Sequence, residues 1–255
     1  MKYYKITENL DKVYGRQDFP NEKYDTSAPN SQQQLDWDEF PDFEPNFSNL
    51  YIPPLKHGTT DILSDMAISG KGFIMSEKLK NIFEEYNLGR GLHRFYPLNS
   101  FDCKTGKNLS DVHYYFLQVI DLQKNRDVNY INYAQSEFFL RESDIVKDRK
   151  NITISNYEDF FKIKQKYRGF SVCYDKLMMS VTFGQEDLDM FFFSRITDFF
   201  FSNIVISERL FNRLKEEKML DNFMYKEVPI VVEKSYPKNE TNTKRPGTTW
   251  SLLED

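Results

Sequence analysis

Few residues in this chain have the types and spacing that chemistry demands. His57, His93 and His113 are its only histidines, and Cys103 and Cys173 its only cysteines. No histidine stands four residues from another, so the sequence contains no helical metal pair. Two isolated cysteines give neither a zinc pattern nor a disulfide framework. Cys103 lies in the lysine-flanked turn Asp102-Cys103-Lys104-Thr105-Gly106-Lys107, a setting that lowers a thiol's pKa. Paired with His113 across a hairpin it would make a nucleophile and base, and a hydrolase using Cys103 is therefore one alternative. A chance pairing is the plainer reading. Glu216-Glu217-Lys218 matches the E-x-K string of some nucleases but falls in an expected helix, where it reads as a solvated face. Gly89 and Gly91 give only G-x-G behind a helix, which reads as a helix exit and not a phosphate loop. The expectation is no catalytic residue, no cofactor and no metal.

The elements that would carry such residues are built on rings. The 255 residues include 23 Phe, 16 Tyr and 2 Trp, and a chain of this length buries about 70% of its unfolded surface. A net charge of −5 argues against a nucleic-acid coat. No apolar run reaches the ~18–20 residues of a membrane span, and no apolar segment follows Met1-Lys2-Tyr3-Tyr4-Lys5. The expected setting is the cytoplasm, with no membrane partner.

The strongest internal signal is a repeat. Phe73-Ile74-Met75-Ser76-Glu77-Lys78-Leu79 resembles Ile204-Val205-Ile206-Ser207-Glu208-Arg209-Leu210 at an offset of 131 residues. In each copy an apolar run feeds a Ser that can N-cap a helix, and a Glu follows where the helix dipole favours negative charge. Leu79, Ile82, Phe83 and Tyr86 form one buried stripe, while the second copy keeps Leu210 and Leu214. His113 to Ile120 reads as a buried strand with Tyr130 to Leu140 as a neighbour. Ser155-Asn156-Tyr157-Glu158 reads as a capping box, with Gly169 as the helix stop. Phe170 to Tyr174 and Met179 to Phe183 read as short strands; Leu188 to Phe200 fits helix or strand. The fold class expected is α+β: a mixed, mainly antiparallel sheet with flanking helices and two pseudo-repeated lobes. The organisation expected is an N-terminal strand and extended arm over 1–69, an α+β domain over 70–234 with repeat units 70–140 and 185–234, and a loose tail over 235–255.

These blocks also resemble a known family. A strand, then Ser-Glu-Lys/Arg-Leu opening a helix, the aromatic-Pro strand Phe95-Tyr96-Pro97 and the aromatic strand Tyr114-Tyr115-Phe116 are similar to a bacterial immunity-protein family whose genes accompany polymorphic toxins. Asp189-Met190-Phe191-Phe192 ahead of the late helix matches that family's Asp-x-Phe element, whereas Asp221-Asn222-Phe223 stands where members often carry a Gly-aromatic step. The resemblance covers residues 70 to 234. It implies a cytosolic antidote that binds a cognate protein toxin domain, with no catalysis of its own.

An antidote needs a few anchors and a charged rim. The acidic-aromatic arm supplies both types: Trp37, Phe40 and Phe43 as anchors, and Asp36, Asp38, Glu39, Asp42 and Glu44 to steer a basic partner. The competing reading is that the arm only packs on its own lobe and leaves its acids in water. A structural or scaffold protein of a phage or secretion system is a further alternative, which would assemble without any toxin.

Overall fold

The structure is a computed structural model. It describes residues 1–9, 27–36, 38–47, 50–52, 60–63, 72–102, 104–108, 111, 113–123, 129–142, 149–193, 196 and 204–233, with the backbone alone at 50–52. In chain order the strands are β1 (Tyr3–Glu8), β2 (Leu50–Ile52), β3 (Ile62–Leu63), β4 (Gly72–Ser76), β5 (His93–Leu98), β6 (Ser100–Asp102) and β7 (Tyr114–Val119). They continue with β8 (Glu137–Arg141), β9 (Arg149–Ile152), β10 (Ser171–Met179), β11 (Met190–Phe192), β12 (Ile204–Ser207), β13 (Phe223–Val228) and β14 (Ile230–Val232). The helices are α1 (Glu77–Glu84), α2 (Tyr157–Lys166), α3 (Val181–Glu186) and α4 (Glu208–Glu216). The fold is α+β with mainly antiparallel sheets, as the alternation of apolar strands and capped helices predicts.

Two four-stranded sheets match strand for strand. Sheet 1 runs β3-β4-β7-β5 and sheet 2 runs β11-β12-β1-β13, every neighbouring pair antiparallel. In each, a strand ending in Ser leads into a helix: β4 into α1, β12 into α4. In each, one residue separates the outer strand from a three-residue strand that pairs in parallel with a second layer: β6 with β2, β14 with β10. The central strands are exchanged. Divided between β6 and β7, the chain gives two repeat units: β7, which opens the second, lies between β4 and β5 of the first, and β1, which opens the first, lies between β12 and β13 of the second.

The hydrogen bonds repeat as well. Ser76 N donates to the Asp61 carbonyl at 2.8 Å and its hydroxyl to Asp61 Oδ1 at 2.7 Å, while Ser76 Oγ accepts from Leu79 N at 3.2 Å. Ser207 makes the same three bonds, with Asp189 and Leu210 as partners. Glu77 N donates to the His113 carbonyl at 3.0 Å, Glu208 N to the Lys2 carbonyl at 2.9 Å. These four residues occupy equivalent places, since His113 and Lys2 each precede the Tyr-Tyr pair that opens β7 and β1. Outside each central strand, the Lys80 ammonium sits 5.3 Å from the Phe95 ring and 5.0 Å from the Tyr115 ring. At the equivalent place Phe211 stacks on Tyr4 at 3.9 Å and meets Tyr225 edge-on at 4.9 Å. The repeat thus reaches well beyond the seven-residue motif, and it includes β1 to β3 on the N-terminal side of residue 70.

Alternation along these strands sets the layers. Phe73 and Met75 of β4, Leu117 and Val119 of β7, Ile6 of β1 and Ile204 and Ile206 of β12 enter one core with Leu79, Phe83, Leu210 and Leu214 of the two helices. That core joins both sheets. The opposite face of sheet 2, with Tyr3 and Val205, packs on β8, β10 and α2, where Tyr3, Phe183, Phe191 and Phe193 form a chain of rings 5.0–6.1 Å apart. The opposite face of sheet 1, with Ile74, Tyr96, Tyr114 and Phe116, packs on Leu35 and Phe47 of the arm. Strand approach is close at β4: a Cβ added to Gly72 would stand 1.7 Å from the Leu117 carbonyl oxygen, so only glycine fits.

Several local expectations change. The cap of α2 is Asn156 and not Ser155, its side chain accepting from Asp159 N at 2.9 Å. The strands expected at Phe170 to Tyr174 and Met179 to Phe183 become one strand, Ser171–Met179, followed by helix α3. Ser180 caps α3, and Phe183 on it is buried. Within Leu188 to Phe200 the segment Met190–Phe192 is strand; most of the remainder lies outside the described residues. The tail from residue 235 also lies outside them.

Candidate protein-binding site

The arm is a loop whose two ends meet. Ser31 and Asn46 form a bridge, and Asn46 N donates to the Asn30 carbonyl at 2.9 Å. Ser31 Oγ accepts from Gln33 N at 3.2 Å and starts the short 3-10 turn Gln32–Gln34. A compact loop with adjacent ends, packed by its own side chains, is a common carrier of function.

Gln118 fixes the loop to sheet 1. It is wholly buried on the outer face of β7. Its amide nitrogen donates to the Asp36 carbonyl at 2.8 Å and the Glu39 carbonyl at 3.4 Å, while its oxygen accepts from the Tyr96 hydroxyl at 2.9 Å. Burial pushes the Tyr96 phenol up, and the Arg94 guanidinium opposes that shift. Arg94 reaches over the loop as well: it lies 4.6 Å above the Phe40 ring and donates to the Pro41 carbonyl at 3.3 Å. Phe47 packs 5.5 Å from both Tyr96 and Phe116. The backbone carbonyls of Asp36, Glu39 and Pro41 therefore point inward to a neutral or a cationic donor, while the Asp36, Glu39, Asp42 and Glu44 residues are exposed.

This arrangement makes a concavity of about 330 Å³. Gln34, Asp36, Glu39, Phe40, Asp42 and Phe43 line it. Of the eight residues expected from sequence, Asp36, Glu39, Phe40, Asp42 and Phe43 come together here. Asp38 is half-buried beside it, its N–H bonded to Asp36 Oδ1 at 3.2 Å, and Glu44 is exposed outside the lining. Trp37 lies outside the described residues. Sequence reasoning missed Gln118 and Arg94, which hold the loop. Gln118 gave a weak signal, a single polar residue in an otherwise apolar strand, and Arg94 beside His93 gave none.

The other candidates that fall among the described residues take part in local structure. His113 is exposed, just ahead of β7, and serves through its backbone carbonyl at the start of α1. Cys103 lies outside the described residues. His93 Nδ1 is 3.1 Å from the Gly89 carbonyl oxygen at the exit of α1, where Gly89 and Gly91 adopt φ of 78° and 71°. Glu217 bonds Arg213 at 2.5 Å at the end of α4. Asp189, held by Ser207, by Arg209 Nε at 2.9 Å and by Asn87 N at 3.1 Å, belongs to a cap that Asp61 builds in the other sheet. No group of three or more His, Cys, Asp or Glu able to hold a metal occurs among the described residues. No helix among them is long and apolar enough to cross a membrane.

No family model matches the chain, and neither a curated protein nor a solved structure does.

Proposed function

We propose that this chain is a protein-binding antidote: it captures a basic toxin domain through the acidic loop on sheet 1 and covers that domain's working surface. The single observation behind this reading is the loop's polarity. Its main chain is bonded inward to Gln118 and Arg94, so four exposed carboxylate residues and two half-buried rings are presented on a fixed frame. A fixed frame lowers the ordering cost of binding, which area alone does not offset. Acid groups around an aromatic floor suit a lysine- or arginine-rich cleft, and such complementarity raises the association rate more than the final affinity.

The test first reads the neighbouring frames for a toxin domain, whose absence removes the antidote reading, then replaces Asp36, Asp38, Glu39, Asp42 and Glu44 with their amides and follows capture of that domain. Association at low salt slows by roughly tenfold or more, within the usual range of electrostatic steering, and the difference shrinks as salt rises. Growth rescue by the unaltered chain with an unchanged association rate for the variant would keep the antidote and remove the loop. Failure of the unaltered chain to rescue growth or bind would remove both.

A further inference from the structure

The exchanged central strands carry a consequence for self-association. Every strand partner of β1 lies at residue 204 or beyond: Tyr3 to Ile6 pair with Ile204 to Ser207, and Tyr3 to Glu8 pair with Phe223 to Val228. Both ends of the slot are closed by further main-chain bonds, Glu208 N to the Lys2 carbonyl and Asn9 N to the Asn222 carbonyl, each 2.9 Å. The slot is therefore specified by the strand's own residues and not by a short turn beside it. Residues 10–26 are seventeen positions long, and a fully extended run of that length spans about 58 Å. Nothing in the pairing distinguishes the β1 of the same chain from that of another.

We propose that the slot between β12 and β13 accepts β1 from a second copy of this chain, so that the monomer and a reciprocally strand-exchanged dimer are two states of one fold. Each dimer slot reproduces the contacts of the monomer: the Tyr3 ring against Phe183 and Phe191, Ile6 in the shared core, and Tyr4 stacked on Phe211. With contacts conserved, concentration decides. A tether of that length holds its own strand at an effective concentration of roughly millimolar, so micromolar chains close on themselves and chains refolded near 1 mM exchange. β1 is a central strand, and leaving the slot breaks two ladders at once. The dimer consequently persists after dilution.

The experiment uses two full-length variants, Lys2→Cys and Glu227→Cys. These side chains are paired at 2.8 Å and are more than half exposed, so neither change disturbs the core. The variants are mixed in denaturant and refolded at about 1 µM or about 1 mM, on either side of the tether's effective concentration. The expected result is monomer at the low concentration. At the high concentration a species of twice the mass appears, it survives dilution, and a short bismaleimide, which spans the diagonal from position 2 to position 227, links the two variants. Refolded wild-type chain should give the same masses. Monomer at both concentrations overturns the proposal, and so does a dimer in which the two introduced thiols never link.

Discussion

Tyr3 shows how one side chain registers the whole architecture. It is 2% exposed, and burial pushes its phenol up to about 12, with the Asp187 carboxylate adding to the shift and Arg209 opposing it. An acid whose pKa is higher folded than unfolded favours the neutral form in the fold. Its stabilisation is complete below pH 10 and is lost as pH climbs from 10 to 12. Tyr133 shifts in the same direction, again chiefly through burial. The unfolding free energy from denaturant titration should fall steeply over that window, by up to about 1.4 kcal/mol per pH unit for each such tyrosine. Tyr3→Phe should flatten the fall; an unchanged slope would mean that this phenol does not ionise only on unfolding. At this scale the sequence was partly legible. The acids and rings of the loop were visible as types, but Gln118 was not, because its importance comes from two carbonyls about eighty positions away.

Among the elements, the two capped helices offer an internal control. Ser76 and Ser207 make the same bonds, but Ser207 and Asp189 are buried whereas Ser76 and Asp61 are half-buried. Loss of an N-cap costs about 1 kcal/mol, and stripping a bond from a buried charged acceptor adds ~1–3 kcal/mol. Urea unfolding should therefore find Ser76→Ala mildly destabilising, near ~1 kcal/mol, and Ser207→Ala worse by at least that much again. Equal losses would argue that Arg209 and Asn87 suffice for Asp189. The Ser-Glu starts of α1 and α4 were readable because caps are local. Helix α3 was not. Val181, Thr182 and Phe183 are poor helix formers, and the segment turns helical where it packs against β14, with Gly184 so close to Val232 that an added Cβ would stand 2.9 Å from its side chain.

The molecule as a whole is two halves that each complete the other. The α+β class follows from alternation and caps, which any window of the chain displays. The exchange does not, since β1 pairs with residues some 200 positions away and periodicity is blind to partners at that distance. One expectation follows for the intact fold. A protease site placed in the exposed turn at 104–108, between β6 and β7, should yield two fragments that co-migrate under native conditions and separate only in denaturant. Each fragment holds the middle strand of the other's sheet, so spontaneous separation after cleavage would contradict the pairing.

That arrangement also bears on birth. Tyr3–Glu8 leaves the ribosome about 200 residues ahead of the two strands that flank it. At 5–20 residues per second, about 10–40 s of translation pass before the second of those neighbours exists. For that interval β1 is a six-residue β-former without either of its neighbours, and a polysome crowded with such strands is where a chaperone would matter most.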